Sequence, residues 1–99
     1  MADRTLRVVV RMIARPDKVE EVRSLLTNII EPSRQEVGCI SYELLHNRND
    51  PTDLTAIEEW ENEAAYQGHL ASPHVQEVLA RFADLTIGAP DIRHYTVVG

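Results

Sequence analysis

The chain has 99 residues, with ten basic and sixteen acidic side chains and a formal charge of −6 at pH 7. This length suits one domain, residues 1–99, with one modest core, and it excludes a separate cofactor domain. The excess of acidic over basic side chains excludes nucleic-acid binding, which requires a basic face. No apolar run approaches the roughly 20 residues of a membrane span, and residues 1–5 lack the apolar stretch of a signal peptide. The single cysteine forms no internal disulfide. We therefore expect a soluble cytoplasmic domain.

The first 36 residues predict a strand followed by a helix. Residues 6–14 form a β-rich run. Asp17, with Glu20 three residues later, has the spacing of a capping box at a helix start. We expect Pro32 to kink or break this helix. Its buried stripe consists of Val19, Val22, Leu25, Leu26, Ile29 and Ile30.

The middle of the chain predicts a hairpin, and the rest predicts two helical segments and a last strand. Gly38 is expected to end the first helix, and residues 39–46 and 54–60 form strands around a turn cluster at 47–53. Asn62 caps a helix that ends near residue 70, and Ser72 with Pro73 starts another. Residues 92–98 form the last strand. The stripe of the last helical segment is Val75, Val78, Leu79 and Phe82.

The resulting order, βαββαβ, predicts a ferredoxin-like α+β fold. Its four-stranded antiparallel sheet carries the helices on one face. The other face still carries apolar side chains, which predicts a homodimer with packed sheet faces. The alternative is a monomer with scattered surface apolar groups. We expect Arg7, Arg11 and Arg93 to pair across strands with Glu43 and Glu59. The outer apolar residues are Val9, Ile13, Leu45, Ile57, Tyr95 and Val97.

Several residues on the helix-facing side are unusual for a plain core. The strands contribute Tyr42, Glu58, Trp60 and His94, and the second helix adds Tyr66 and His69. Together they predict an aromatic-walled pocket for a small ligand. The alternative is that Trp60 and Tyr42 only fill the core and that His69 is a packed or surface histidine.

No strong cofactor, metal or nucleophile motif is present, since the chain lacks a Gly-rich phosphate loop, HExxH, GxSxG and CxxC. His69 and His74 are separated by Pro73, so their spacing does not give the two-ligand face of one helix. We therefore expect no metal site. Cys39, in a predicted strand without an adjacent base, is expected to be structural.

Three segments resemble the antibiotic biosynthesis monooxygenase superfamily. Residues 36–44 (EVGCISYEL) resemble its E-x-G-C-x-x-Y segment, and residues 58–60 (EEW) resemble its E-x-W strand end. Residues 65–74 (AYQGHLASPH) resemble its A-x-x-x-H-x-x-S-x-H helix. The resemblance implies a ferredoxin-like protomer, a dimeric α/β barrel, and a cleft between sheet and helices. It also implies oxygenation of phenolic or quinol substrates by O2 without metal, flavin or haem.

The resemblance also implies site residues. Trp60 and Tyr66 stand where aromatic-polyketide oxygenases of the family contact substrate. Ala56 replaces an asparagine of those enzymes, and only Arg81 approximates their helical arginine, so the resemblance does not extend to a polyketide substrate. The first strand lacks the asparagine of haem-degrading relatives.

The expected mechanism begins with proton transfer from a bound hydroxyaromatic to His69 or Glu58. His94 or Tyr66 would hydrogen-bond a substrate oxygen. The residues that would hold the ring are Trp60, Tyr42 and Tyr66. Two alternatives are a non-catalytic small-ligand-binding dimer and an isomerase of a small phosphorylated metabolite with the same acid and base.

Overall fold

The computed structural model describes residues 5–99 and contains one four-stranded antiparallel sheet in the order β2-β3-β1-β4. This order and the βαββαβ connectivity confirm the ferredoxin-like α+β prediction. The signal-peptide prediction falls largely on residues 1–4, outside the described range. No helix within residues 5–99 is long and apolar enough to cross a membrane. The elements are β1 Leu6–Ile13, α1 Val19–Thr27, α2 Ile30–Arg34, β2 Cys39–Asn47, β3 Asp50–Trp60, α3 Glu63–Leu70, α4 Pro73–Leu85 and β4 Asp91–Tyr95.

The core lies between the helices and the predicted helix-facing side of the sheet. In the two central strands, alternate residues are buried, and Val8 and Trp60 have no exposed surface. On the edge strands the same side is less covered, and Ile92 in β4 is about half exposed. In β2 the register shifts between Cys39 and Ser41, so Cys39 pairs with Trp60 and packs against the core, while Ile40 is about half exposed. The sheet places β3, the longest strand, at the centre of the core.

The first helical segment breaks before Pro32, as predicted. α1 ends at Thr27 and α2 begins at Ile30. Proline removes the N–H that would bond to the carbonyl of Asn28, four residues earlier, and its ring clashes with that carbonyl. The prediction that Asp17 caps α1 is wrong. Lys18 is the N-cap residue, and its ammonium group has no acceptor with which to cap the helix. The Lys18 N–H closes a turn onto the Arg15 carbonyl, so Asp17 lies in this turn before the helix begins.

Two strand boundaries also differ from the predictions. The turn between β2 and β3 contains only residues 48 and 49, because Asn47 already pairs with Asp50. The Asn47 side chain accepts a hydrogen bond from the Asn49 N–H, which tightens the turn. β4 ends at Tyr95 rather than residue 98, where its ladder with β1 stops at the Arg7–Tyr95 pair.

The caps of α3 and α4 agree with the sequence. The Asn62 side chain accepts a hydrogen bond from the Ala65 N–H at 2.9 Å. The Ser72 hydroxyl accepts one from the Val75 N–H at 3.4 Å, and Pro73 occupies the first turn of α4. These caps satisfy N–H groups that a helix start leaves unpaired. They fix the short connection between the two helices.

The ion pairs on the outer sheet face follow the prediction only in part. Arg7 pairs with Glu59 at 3.1 Å, as expected. Arg11 instead pairs with Asp53, and Arg93 pairs with Asp91. Arg11 stands opposite Thr55, so Asp53 is its diagonal neighbour and lies within reach of the long guanidinium side chain.

The Arg11–Asp53 contact is expected to stabilise the fold in a pH-dependent way. Arg11 donates two hydrogen bonds to the Asp53 carboxylate and Asn47 donates a third, all at 3.1 Å. These bonds, chiefly those from Arg11, lower the pKa of Asp53. Because the pKa of Asp53 is lower in the folded than in the unfolded state, its contribution to stability is complete above the unfolded pKa of about 3.9. The contribution is lost as the pH falls from that value toward the folded pKa.

Asp53→Asn should therefore reduce the free energy of unfolding at pH 7 by about 1 kcal/mol, a modest value because Arg11 is more than half exposed. Urea unfolding of the wild type and the variant at pH 7 and at pH 3.5 measures the difference between their free energies of unfolding. This difference should be smaller at pH 3.5 than at pH 7. Asp91→Asn, in an exposed pair, is the control and should have no measurable effect. An equal difference at both pH values would show that the Asp53 charge is not involved.

Candidate functional site

A pocket lies between the sheet and helices α1, α3 and α4, and its walls are mostly apolar. Its cavity volume is about 60 Å3, within a wider concavity of about 490 Å3 that includes solvent at the mouth. The polar groups in its wall are Tyr42, Glu58, Tyr66 and His69. The apolar part of the wall includes Val10, Met12, Leu26, Ile29, Val75, Val78, Phe82 and Ile92.

His69, in the last turn of α3, is at the centre of an aromatic cluster and is 3% exposed. Its ring centroid lies 4.6 Å from that of Trp60, 5.7 Å from that of Tyr42 and 6.4 Å from that of Tyr66. The structure thus brings three other predicted site residues around the His69 imidazole. Tyr42 and Tyr66 line the pocket, whereas Trp60 is fully buried and is not part of the pocket wall. These contacts restrict the orientation of the ring.

Glu58 is the buried carboxyl group of the pocket and is 3% exposed. It lies on β3, two residues before Trp60 and on the same face. The Trp60 indole Nε1–H donates a hydrogen bond to Glu58 Oε1 at 3.0 Å, and His69 Nε2 lies 3.6 Å from the same oxygen. Burial raises the pKa of Glu58 to about 7, although the Trp60 hydrogen bond opposes this shift.

Glu36, which precedes β2, holds the other side of the His69 ring. His69 Nδ1 lies 2.7 Å from Glu36 Oε2. Because a carboxylate accepts, Nδ1 donates the proton in this bond, and Nε2 of the neutral ring has a free lone pair. Burial lowers the pKa of His69, and the Glu36 hydrogen bond acts in the opposite direction. The neutral imidazole therefore presents an acceptor nitrogen toward Glu58.

His74 completes a second contact with Glu36. Its Nε2 lies 2.7 Å from Glu36 Oε1, but this oxygen, which is buried, has no hydrogen-bond partner in residues 5–99. The ring N–H is thus not aligned to donate to it. The rings of His69 and His74 are 6.2 Å apart. No sequence pattern predicted a role for Glu36, although this residue begins the first family-like segment, and the spacing of the two histidines predicted no metal site.

Tyr66 lines the pocket and contacts His94, which is not part of the pocket wall. The Tyr66 hydroxyl is 3.4 Å from His94 Nε2, and the two rings meet edge to face at 5.1 Å. The pKa of Tyr66 is raised to about 12, chiefly by burial, and burial also raises the pKa of Tyr42. Both phenols are therefore neutral hydrogen-bond donors at pH 7. His94 is exposed on β4, at the edge of the site.

This arrangement combines a mostly apolar wall, which includes Tyr42 and Tyr66, with two adjacent proton acceptors. An aromatic ring in the pocket could stack on side chains near His69, with a hydroxyl group directed toward Glu58 and His69 Nε2. Such a geometry suits general base catalysis on a phenolic hydroxyl group. The apolar wall would exclude water from an anion formed there.

Comparison with known proteins gives a consistent family assignment. The family model described as "Antibiotic biosynthesis monooxygenase" matches residues 5–81. A Mycobacterium tuberculosis protein named "Putative monooxygenase Rv0793" is 36% identical in an alignment of length 90 that covers 84% of this chain and 88% of that protein. The solved structure of Rv0793 has a TM-score of 0.91 at 27% identity and covers 96% of each chain.

A second relative is longer than this chain. "Uncharacterized protein sll1783" of Synechocystis sp. is 33% identical over 96 residues, which are 97% of this chain. The match spans 65% of the length of the Synechocystis protein. Similarity to this relative therefore covers nearly all of the chain but leaves about a third of the relative unmatched.

Proposed function

Because the chain belongs to the antibiotic biosynthesis monooxygenase family, we propose that it is a cofactor-independent monooxygenase of a small hydroxylated aromatic substrate, a quinol. Family membership supports a monooxygenase-like role at the level of the family. The observation that carries the more specific proposal is the buried Glu58–His69 pair in a pocket wall that also includes the rings of Tyr42 and Tyr66. This pair could remove a phenolic proton, and the resulting electron-rich anion is the species that O2 oxidises.

The proposed reaction needs no external reductant. A dihydroxyarene and O2 give a hydroxyquinone and water. One oxygen atom forms a carbon–oxygen bond in place of a ring carbon–hydrogen bond, and the other leaves as water. The substrate supplies all four electrons that reduce O2. The protein binds the ring, and His69 Nε2 with Glu58 accepts the proton that starts the reaction.

The size of the pocket favours a single-ring substrate. A protein cavity of 150 Å3 binds benzene, whereas the enclosed volume here is about 60 Å3. One ring therefore requires some widening. Leu79 and Ile92, which line the pocket, are 42% and 45% exposed and have room to move. A fused polycyclic substrate would require displacement of the buried wall as well.

The charge of the pocket wall favours this proposal over an isomerase of a phosphorylated metabolite. None of the residues that line the described pocket is lysine or arginine. A phosphate group in it would thus have no cationic partner from the pocket wall. The remaining alternative, a non-catalytic ligand-binding dimer, uses the same pocket and is separated from an oxygenase by experiment.

Oxygen consumption with a panel of single-ring quinols tests the proposed function. At least one quinol should be oxidised faster with the protein than by autoxidation in matched buffer. Binding of a quinol, seen as a thermal shift, without any increase in oxygen consumption would overturn the oxygenase proposal and favour the ligand-binding alternative. His46→Ala, which replaces an exposed histidine of β2, is the control and should retain the activity.

We further propose that two copies pair through the outer sheet face. Leu45 and Tyr95 on this face are 44% and 47% exposed, and Val9 and Ile57 are only partly buried. Pairing would remove this apolar surface from water. Light scattering at micromolar concentration should give twice the 11.2 kDa mass of the chain. Leu45→Glu should shift the mass toward a single chain, and a wild-type mass of 11.2 kDa would contradict pairing.

A further inference from the structure

The contacts around Glu36 indicate a function that the proposed oxygenation does not use. We propose that Glu36, His69 and His74 form a binding site for a divalent transition-metal ion such as Zn2+. The site would lie on the side of the His69 ring that carries Nδ1. The pocket side of the ring carries Nε2, which lies near Glu58. The proposed ligand set is therefore separate from the substrate pocket, apart from the shared imidazole.

The fold brings the three ligands together from separate parts of the chain. Glu36 lies just before β2, His69 is in the last turn of α3, and His74 is in the first turn of α4. The connection between α3 and α4 is short, and Ser72 orders it by donating a hydrogen bond to the His69 carbonyl at 2.6 Å. Ser72 Oγ also lies 3.2 Å from His74 Nε2. This turn overcomes the unfavourable spacing of the two histidines.

The distances between the ligand atoms are close to those of a zinc site. One nitrogen of each histidine and a carboxylate oxygen of Glu36 all lie within 4.8 Å of one another. In a tetrahedral site with zinc bonds of about 2.0–2.1 Å, ligand atoms are roughly 3.3 Å apart. The two 2.7 Å contacts of Glu36 would therefore widen by about 0.6 Å. Ion binding therefore requires these side chains to move apart.

One buried carboxylate oxygen of the cluster would gain a partner from a bound cation. Glu36 Oε1 is buried and has no hydrogen-bond partner within residues 5–99, although His74 Nε2 is 2.7 Å away. A metal ion would bind this oxygen and the His74 lone pair together, so that neither needs the other as a direct partner. Two imidazoles and one carboxylate suit Zn2+, Co2+ or Ni2+, whereas Mg2+ and Ca2+ prefer oxygen ligands.

The site also has a route from solvent. The side chains of His74 and Glu36 are 23% and 17% exposed, and Glu36 and His69 line a surface groove together with Gly38 and Gly68. Water could complete the coordination from this side. If the proposed function is correct, the ion inhibits it, because a metal on Nδ1 places the imidazole proton on Nε2 and removes the acceptor that faces Glu58.

A Co2+ titration tests the site without any activity assay. The chelator-treated protein, with any affinity tag removed, should bind one Co2+ per chain with a visible absorption band that Zn2+ abolishes and Mg2+ does not. His74→Ala should weaken Co2+ binding at least about 100-fold, because even the loss of an outer-shell partner weakens metal affinity 10- to 100-fold. Glu36→Gln should also weaken it. His46→Ala is the matched control and should bind Co2+ like the wild type.

The outcomes are distinct from those of the oxygenase assay. Absence of a Co2+ band in the wild type, or unchanged binding by His74→Ala, would overturn the metal site. Because His74 is partly exposed, its alanine variant should fold, and circular dichroism checks this. A protein that binds Co2+ through these residues but oxidises no quinol would retain the metal site and lose the proposed function.

Discussion

Glu58→Gln is expected to lower quinol-dependent oxygen consumption by about 10²- to 10⁴-fold, the contribution of a positioned general base. Glutamine has nearly the shape of glutamate and keeps an oxygen that can accept the Trp60 indole hydrogen bond. It cannot accept a proton or stabilise a cationic His69. The loss should therefore fall on kcat/KM while the protein remains folded.

The stability of this variant separates chemistry from misfolding. A neutral amide avoids the cost of a buried charge, so Glu58→Gln should melt no lower than the wild type at pH 7. Glu77→Gln, at an exposed position of α4, should leave both activity and melting unchanged. If Glu58 and His69 act as one acceptor pair, adding His69→Gln should cause little further loss of activity. Undiminished oxygen consumption by Glu58→Gln would remove Glu58 from the mechanism.

Gly38→Ala is expected to reduce the free energy of unfolding by about 2–5 kcal/mol, a large part of the stability of a small domain. Gly38 has a φ angle of +85°, which disfavours any residue with a Cβ atom. An added Cβ would also lie only 2.4 Å from the Cβ of Ala65 in α3. This helix carries Tyr66 and His69, so relief of the clash would displace the site.

Urea unfolding of variants at two other glycines separates the cost of the positive φ angle from the cost of the clash with Ala65. Gly88 has a φ angle of +73° but no atom within 4 Å of an added Cβ, so Gly88→Ala should cost only about 1–2 kcal/mol. Gly68 lies within α3 with open space around it, so Gly68→Ala should stabilise by about 0.5–1 kcal/mol. Equal losses for Gly38→Ala and Gly88→Ala would show that the contact with α3 costs nothing.

The sequence predicts the framework of the site well. Strand alternation places Tyr42, Glu58 and Trp60 on the helix-facing side, and the structure buries all three there. The spacing of Tyr66 and His69 puts both on one side of α3, facing the sheet. These predictions succeed because residue periodicity decides which face of an element is buried. Whether the residues perform the predicted chemistry remains a prediction.

The sequence does not predict contacts that depend on how separate elements meet. Glu36 contacts His69 and His74 only because the segment before β2, the end of α3 and the start of α4 converge in space. No periodicity relates residues 33 positions apart. Local competition explains the smaller errors, since the turn closed by the Lys18 N–H delays the start of α1 and removes Asp17 as its cap.

The most direct test of the proposed oxygenation is the source of the oxygen atom in the product. The protein and its best quinol substrate should be incubated with ¹⁸O₂ in unlabelled water, and the product analysed promptly by mass spectrometry. The proposed reaction predicts a hydroxyquinone with one ¹⁸O atom per molecule, formed faster with the wild type than with Glu58→Gln. An unlabelled product, or a labelled one formed at the same rate without protein, would contradict it.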